Sequence, residues 1–224
     1  MIRRPPRSTQ GVSSAASDVY KRQGNIVLSD TMNNRIQRLS RSGEHLQTIG
    51  VGDLDNPWGV AVDQLGNVYV ADWKNDRIVK YSRDGDLVMT LGSSGSGRGE
   101  FNRPSSVAVD NHGDIYVCDR QNNRVQLFNK EGKYIQSFHG NASLSKSGQT
   151  YILANAVTLR LRAMSDVEKT QLLDVPMTIR VDDDFRLFIT DFGNHRIQIY
   201  KKDAIELSPD QIAPEMRNPI LFTT

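Results

Sequence analysis

Four copies of one pattern, Asp-x-x-Asn-x-Arg, constrain this chain more than any other feature. They read DTMNNR (Asp30 to Arg35), DWKNDR (Asp72 to Arg77), DRQNNR (Asp119 to Arg124) and DFGNHR (Asp191 to Arg196). Each follows a short β-rich segment that ends on the Asp, and each precedes another that begins after the Arg. Self-similarity at a period of roughly 40–50 residues signals an array with one supersecondary unit per repeat. An architecture is therefore specified before any activity is.

The clearest unit lies between residues 57 and 92, where WGVAVD, NVYVAD, RIVKYS and DLVMTL are separated by QLG, the WKND loop and RDG. The first segment is a short apolar run suited to a strand covered on both faces, and the third alternates apolar with polar. Four antiparallel strands joined by tight turns make one blade of a β-propeller. The same order recurs between 104 and 140 as PSSVAVD, DIYVCD, RVQLFN and KYIQSF, and in truncated form between 176 and 201 as PMTIRVD, FRLFITD and RIQIYK. Between 24 and 50, NIVLSD, RIQRLS and EHLQTI lack a convincing innermost strand. The predicted fold is thus an all-β propeller with four units visible, two of them complete, one without its first strand and one without its last. Such a set exposes edge strands, which natural propellers avoid. A fragment of a longer ring, about six blades, is the simplest expectation; closure of the four units on themselves is the alternative.

The elements P-x-G-V-A-V-D, G-N-V-Y-V-A-D-x-x-N-x-R-I and the R-D-G turn resemble those of the NHL-repeat family, and the resemblance runs from Gly24 to Lys201. It implies a propeller whose loop-rich face binds RNA in some members. Related propellers include peptide-amidating lyases and calcium-dependent lactonases, with metals in or near the central channel. The fourth unit departs from the pattern, because Val181 to Phe185 (VDDDF) lacks the turn glycine that Gly66 and Gly113 supply.

Three stretches stand outside the repeat. Residues 1–23 resemble translated adapter or vector sequence and are expected to be a non-native or disordered leader; they are basic but lack the apolar core of a secretory signal. Residues 141–175 form an insertion in which Val157, Leu161 and Met164 fall at helical spacing, and Ser165 to Glu168 reads as a capping box. A helical insertion near 154–173 is expected, either as a lid over the loop-rich face or as a cover on the propeller's side. Residues 202–224, with Pro209, Pro214 and Pro219, read as an irregular tail.

Composition excludes little. A net charge of +2 makes no general case for nucleic acid, and DNA is not expected among the partners. No apolar run approaches the length needed to span a bilayer as a helix. The single cysteine, Cys118, excludes an internal disulfide and a Cys-rich zinc site, and it occupies the place of Ser29, Ala71 and Thr190. A small buried residue is expected there. The compartment is left open.

The repeated residues Asp30, Asn33, Arg35, Asp72, Asn75, Arg77, Asp119, Asn122, Arg124, Asp191, Asn194 and Arg196 are expected to hold the blades together, since a group present in every unit is a poor candidate for a unique role. Function is expected in the unrepeated residues. Loops after the second strand and links between blades emerge on one face and bring Trp73, Lys74, Arg98, Arg103, Arg120, Phe192 and His195 forward as ligand candidates, near Met32 and Gln121. Trp73 is expected at an exposed loop tip, and Trp58 and Phe101 between blades. Aromatic rings beside Arg and Lys suit a protein or peptide first and single-stranded RNA second. A metal-dependent lyase or hydrolase is the third reading. No catalytic constellation, metal site or cofactor motif is visible: the innermost segments WGVAV, SSVAV and MTIRV are almost wholly apolar, and His45, His112, His139 and His195 occupy unrelated places in the units. Asp182 to Asp184 is expected to be a solvated turn rather than a calcium site, and the glycine-rich link at 92–103 a mobile loop rather than a phosphate cradle.

Overall fold

Successive side chains of a strand point to opposite faces, so a strand that is apolar at every position must be covered on both sides. A computed structural model, which describes residues 17–20, 24–141 and 171–202 together with 154, 155, 157 and 160, shows how the chain meets that demand. The first sheet contains β1 (Ser17–Tyr20), β2 (Asn25–Asp30), β3 (Arg35–Leu39) and β4 (His45–Ile49), and the second β5 (Pro57–Val62), β6 (Val68–Asp72), β7 (Arg77–Tyr81) and β8 (Leu87–Leu91). A small parallel ladder joins β9 (Ser93–Ser94) to β10 (Glu100–Phe101). The third sheet holds β11 (Pro104–Val109), β12 (Ile115–Asp119), β13 (Arg124–Phe128) and β14 (Tyr134–Phe138), and the fourth β15 (Pro176–Val181), β16 (Arg186–Asp191) and β17 (Arg196–Lys201). Within each of these sheets the strands run in sequence order and pair antiparallel.

Every residue of β6 and β12 is buried, and the alternation divides their side chains between neighbours. Val68 and Val70 pack towards the first sheet with Val27, Ile36, Ile49 and Leu54. Tyr69 and Ala71 turn the other way, to Phe101, Val107, Ile115, Val117 and Phe128. On β12, Tyr116 and Cys118 join Ile179, Leu187 and Ile189 of the fourth sheet. Three apolar cores therefore lie between successive sheets. The first strands stand side by side, β1 against β5, β5 against β11, and β11 against β15, as the inner column of propeller blades does. Gly59 permits the closest of these approaches, since a Cβ there would lie 2.5 Å from the Cα of Ser106.

Two details differ from the sequence expectation. The first sheet does have an innermost strand: β1 pairs with β2 from Ser17 opposite Leu28 to Tyr20 opposite Asn25. SDVY is only four residues long, too short for its alternation to rise above chance. In the fourth sheet, Phe185 adopts a φ of 58° where Gly66 and Gly113 adopt 88° and 87°. Its ring stacks on His112 at 4.5 Å, and Lys202 beside it bridges Asp110 and Asp114 at 2.7 and 2.6 Å. These contacts with the third sheet offset the left-handed backbone of a bulky residue. Of the expected insertion, Ala154, Val157, Arg160 and Gln171 are helical; most of the span, with the leader at 1–16 and 21–23 and the tail at 203–224, lies outside the described residues.

The Arg and Asn of the repeated motif donate to its Asp in each sheet. The Asp72 carboxylate accepts from Arg77 Nε at 2.7 Å, Asn75 Nδ2 at 2.9 Å and the Asp55 N–H at 2.7 Å. Asp119 accepts from Arg124, Asn122 and the Asn102 N–H at 2.7, 2.9 and 2.8 Å. Asp191 accepts from Arg196, Asn194 and the Asp174 N–H at 2.6, 3.0 and 2.7 Å. Asp30 accepts from Arg35 and Asn33, both at 2.8 Å. Each of the three later arginines sends its other donors to a carbonyl of the preceding link: Asp53, Gly97 or Leu172.

A second set of bonds reaches forward. Asn34, Asp76, Asn123 and His195, the residues between the motif Asn and Arg, are left-handed. The first three accept the backbone N–H of the residue before the next sheet's opening proline, Asn56, Arg103 or Val175, at 2.8, 2.7 and 2.9 Å. Those recipients are left-handed too, with φ of 54°, 54° and 49°. For β-branched Val175 this is a costly conformation, held by the bond it donates.

Three outcomes are expected. Gly59→Ala, which drives a methyl into the neighbouring backbone, is expected to cost about 1–3 kcal/mol in guanidinium melts. Arg124→Ala leaves Asp119 charged and fully buried, with an expected loss of about 3–5 kcal/mol. By contrast Arg35→Ala, at a pair whose side chains are 38% and 20% exposed, is expected to cost about 1 kcal/mol or less; equal losses would contradict burial as the cause. Burial pushes the Asp30 and Asp191 carboxyls up, but hydrogen bonds outweigh it, from Arg35, Gln37 and Asn33 on the first and from the Asp174 N–H, Gln198, Arg196 and Asn194 on the second. Both groups are thereby held below the ordinary value. Their stabilisation is complete above about pH 4 and is lost as pH falls through the depressed native values. Stability followed by circular dichroism should decline on that acid side.

Candidate functional site

The pairing register places the unrepeated residues. Pro57 lies opposite Asp72, Pro104 opposite Asp119 and Pro176 opposite Asp191, so the start of each innermost strand and the end of the second lie at one end of the sheet. Trp58 follows Pro57, Trp73 follows Asp72, Arg103 precedes Pro104, and Arg120 follows Asp119. Successive blades thus bring these four side chains together.

They form a continuous row. The Trp58 and Trp73 rings lie 5.3 Å apart with planes inclined by 56°. The Arg103 guanidinium sits 4.6 Å from the Trp73 ring centre, and that of Arg120 lies 5.6 Å from the Trp58 ring centre. Cation–π contacts of this kind contribute about 0.5–2 kcal/mol and hold an otherwise floppy side chain flat. Arg103 also donates to the Lys74 carbonyl at 3.1 Å, and Arg120 Nε points at the Met177 sulfur at 3.1 Å.

Trp73 is not the exposed loop tip that its position suggests. It is half-buried, with its indole Nε1 enclosed and without a hydrogen-bond partner, because Arg103 covers the ring. Lys74 of that turn is exposed and paired with Asp55 at 3.2 Å. Phe101 is fully buried between the second and third sheets, as expected, whereas Trp58 is half-exposed in the row.

The remaining candidates stand apart. Arg98 is exposed and lies over the Tyr134 ring at 5.8 Å, beside the outer strand β14. Phe192 and His195 are exposed on the fourth sheet's turn, where their rings lie 6.5 Å apart. Met177 is a member of the group that was not singled out in the sequence. Its signal was available: it holds the same place after proline as Trp58 and Ser105.

Elsewhere the chemistry is local. The glycine-rich link is folded on itself, with Gly95 N–H donating to Phe101 O at 2.9 Å and Gly97 N–H to Glu100 at 2.8 Å. Asp182 accepts the Asp184 and Arg186 N–H groups and the Arg186 side chain, closing the β15–β16 turn. Cys118 is fully buried, and burial first, then Asp119, pushes its thiol far above the range of a reactive thiolate. Among the described residues no group of three or more His, Cys, Asp or Glu side chains is placed to hold a metal ion, and no helix is long and apolar enough to cross a membrane.

Comparison with known proteins agrees with this geometry. The solved structure of catalytically inactive virginiamycin B lyase from Staphylococcus aureus with quinupristin superposes with a TM-score of 0.54 at 14% identity, covering 88% of this chain and 59% of that one. A gluconolactonase from Xanthomonas campestris gives 0.57 at 16%, covering 84% and 58%. The nidogen/laminin complex gives 0.55 at 17%, covering 79% and 55%. At such identities the likeness establishes the fold alone, and this chain spans less than two thirds of each structure's length. No curated protein sequence matches. Residues 54–81 and 101–128 match the NHL repeat family. With those two repeats set in sheets stacked by their first strands, the chain carries NHL repeats folded as β-propeller blades.

Proposed function

We propose that this chain is a non-catalytic recognition or scaffold module that binds a protein or peptide through the motif end of its blades. The observation that carries the reading is the Trp58–Trp73 pair flanked by Arg103 and Arg120. Trp and Arg are the residue types that dominate binding hot spots. They sit here at positions where the other repeats carry different side chains, on a scaffold otherwise held by repeated bonds. The Asp-x-x-Asn-x-Arg residues belong, on this reading, to blade integrity and not to the ligand. Among the structural neighbours, the nidogen/laminin complex is an assembly between proteins. The lyase and the gluconolactonase keep an enzymatic role for the parent protein in play. No cofactor is assigned.

Single-stranded RNA is the second reading, favoured by the half-exposed Trp58 ring beside a guanidinium, a surface on which a base can stack. Against it, the carboxylates Asp55, Asp76 and Glu100 are interleaved at this end. Selection from a displayed random-peptide library separates the two. Peptides so selected are expected to lose about 30-fold or more in affinity for the Trp73→Ala/Arg120→Ala variant. Were the ligand RNA, oligouridylate affinity would instead fall steeply with salt, and peptide selection would return nothing dependent on Trp73.

A further inference from the structure

We infer that the row formed by Trp58, Trp73, Arg103 and Arg120 is a subsite for a peptide carboxylate flanked by an apolar or aromatic side chain. This rests on the recognition reading above and narrows it to one ligand chemistry.

Charge matching is the first ground. The other cations at this end have acidic partners: Arg77 on Asp72 and Asp53, Arg124 on Asp119, Arg196 on Asp191, and Lys74 on Asp55. Arg103 and Arg120 do not. Their contacts among the described residues are indole faces, one carbonyl and one thioether. A thioether is a weak acceptor, so most of the donor fork on Arg120 is unmatched by the described residues. Burying such a guanidinium under a neutral ligand would leave it uncompensated, whereas a carboxylate matches the fork with two parallel bonds.

Preorganisation is the second. Each guanidinium is already laid on a ring, so little side-chain freedom remains to be lost when a ligand arrives. The indoles between them form an apolar strip continuous with the Met177 side chain under Arg120. Donor fork, strip and donor fork in sequence match an acidic residue next to an apolar one.

The choice of carboxylate over a phosphate chain follows from the surroundings. Asp76 accepts the Arg103 N–H at 2.7 Å and the Ser94 hydroxyl at 2.6 Å, and Asp55 faces Lys74. A backbone bearing a charge at every nucleotide would be drawn past these groups and repelled. A single carboxylate need not be.

Trp58 and Trp73 are the two tryptophans of the chain, so fluorescence excited at wavelengths beyond the tyrosine band reads this row. The full chain is titrated with three acetylated octapeptides, alternating glutamate–phenylalanine, alternating glutamine–phenylalanine and octaglutamate, and with an eight-nucleotide oligouridylate. The glutamate–phenylalanine peptide is expected to give a saturable change, at least about tenfold tighter than its glutamine counterpart, with octaglutamate between them. Arg103→Gln and Arg120→Gln are each expected to weaken it about tenfold, Arg120→Lys less, and Arg41→Gln on the β3–β4 turn not at all; melting curves confirm that each variant is folded. Equal binding of the glutamate and glutamine peptides overturns the carboxylate subsite, as does a saturable response to oligouridylate alone. Library peptides that depend on Trp73 but lack acidic residues would sink this inference and leave the recognition face standing. Silence from both the library and the acidic peptides would remove both.

Discussion

A buried carboxylate that serves two stretches of chain at once is the interaction on which the rest of this structure depends. In each of the later blades the motif Asp accepts from its own Arg and Asn and from the backbone of the link that enters the blade. An ionised group with no exposure survives only if its lone pairs are matched, and here the matching groups come from both sides of a strand-to-strand turn. Closing the turn and anchoring the link are therefore one event. The forward bond from Asn34, Asp76 or Asn123 then sets where the next innermost strand begins.

That arrangement separates the residues that build from those that are free to vary. Positions within the motif are committed to backbone groups. The positions just after the Asp and just after the proline vary from blade to blade, and there the repeats carry Thr31, Trp73, Arg120 and Phe192, and Trp58, Ser105 and Met177. Because the frame holds their backbones in equivalent places, a change of side chain alters the face without altering the fold. The indole–guanidinium row is what two consecutive blades make of that freedom.

Most of the fold was legible because its signals are repeated and local. The run in β6 announced a strand covered on both faces, and Cys118 was recognisable as a core residue from the small residues in its equivalent places. β1 was hidden by its brevity. Phe185 showed a missing glycine, but its compensation by His112 and Lys202 comes from contacts distant in sequence. The face itself was half legible. Its residues were named, yet Trp73 lies beneath Arg103, from the next blade, and no local pattern reveals which of two side chains thirty positions apart will cover the other. Arg98, Phe192 and His195 share the face's sequence signature but not its geometry.

The alternation of β6 and β12 between two cores makes the sheets a row of dominoes. Each inner sheet leans on a neighbour to either side, whereas the first and fourth each lean on one among the described residues. In such one-dimensional coupling, order decays from the middle outward. Amide protons of the second and third sheets will outlast those of the flanking two, and a ligand bridging Trp58 to Arg120 would fasten the pair that is already slowest to open.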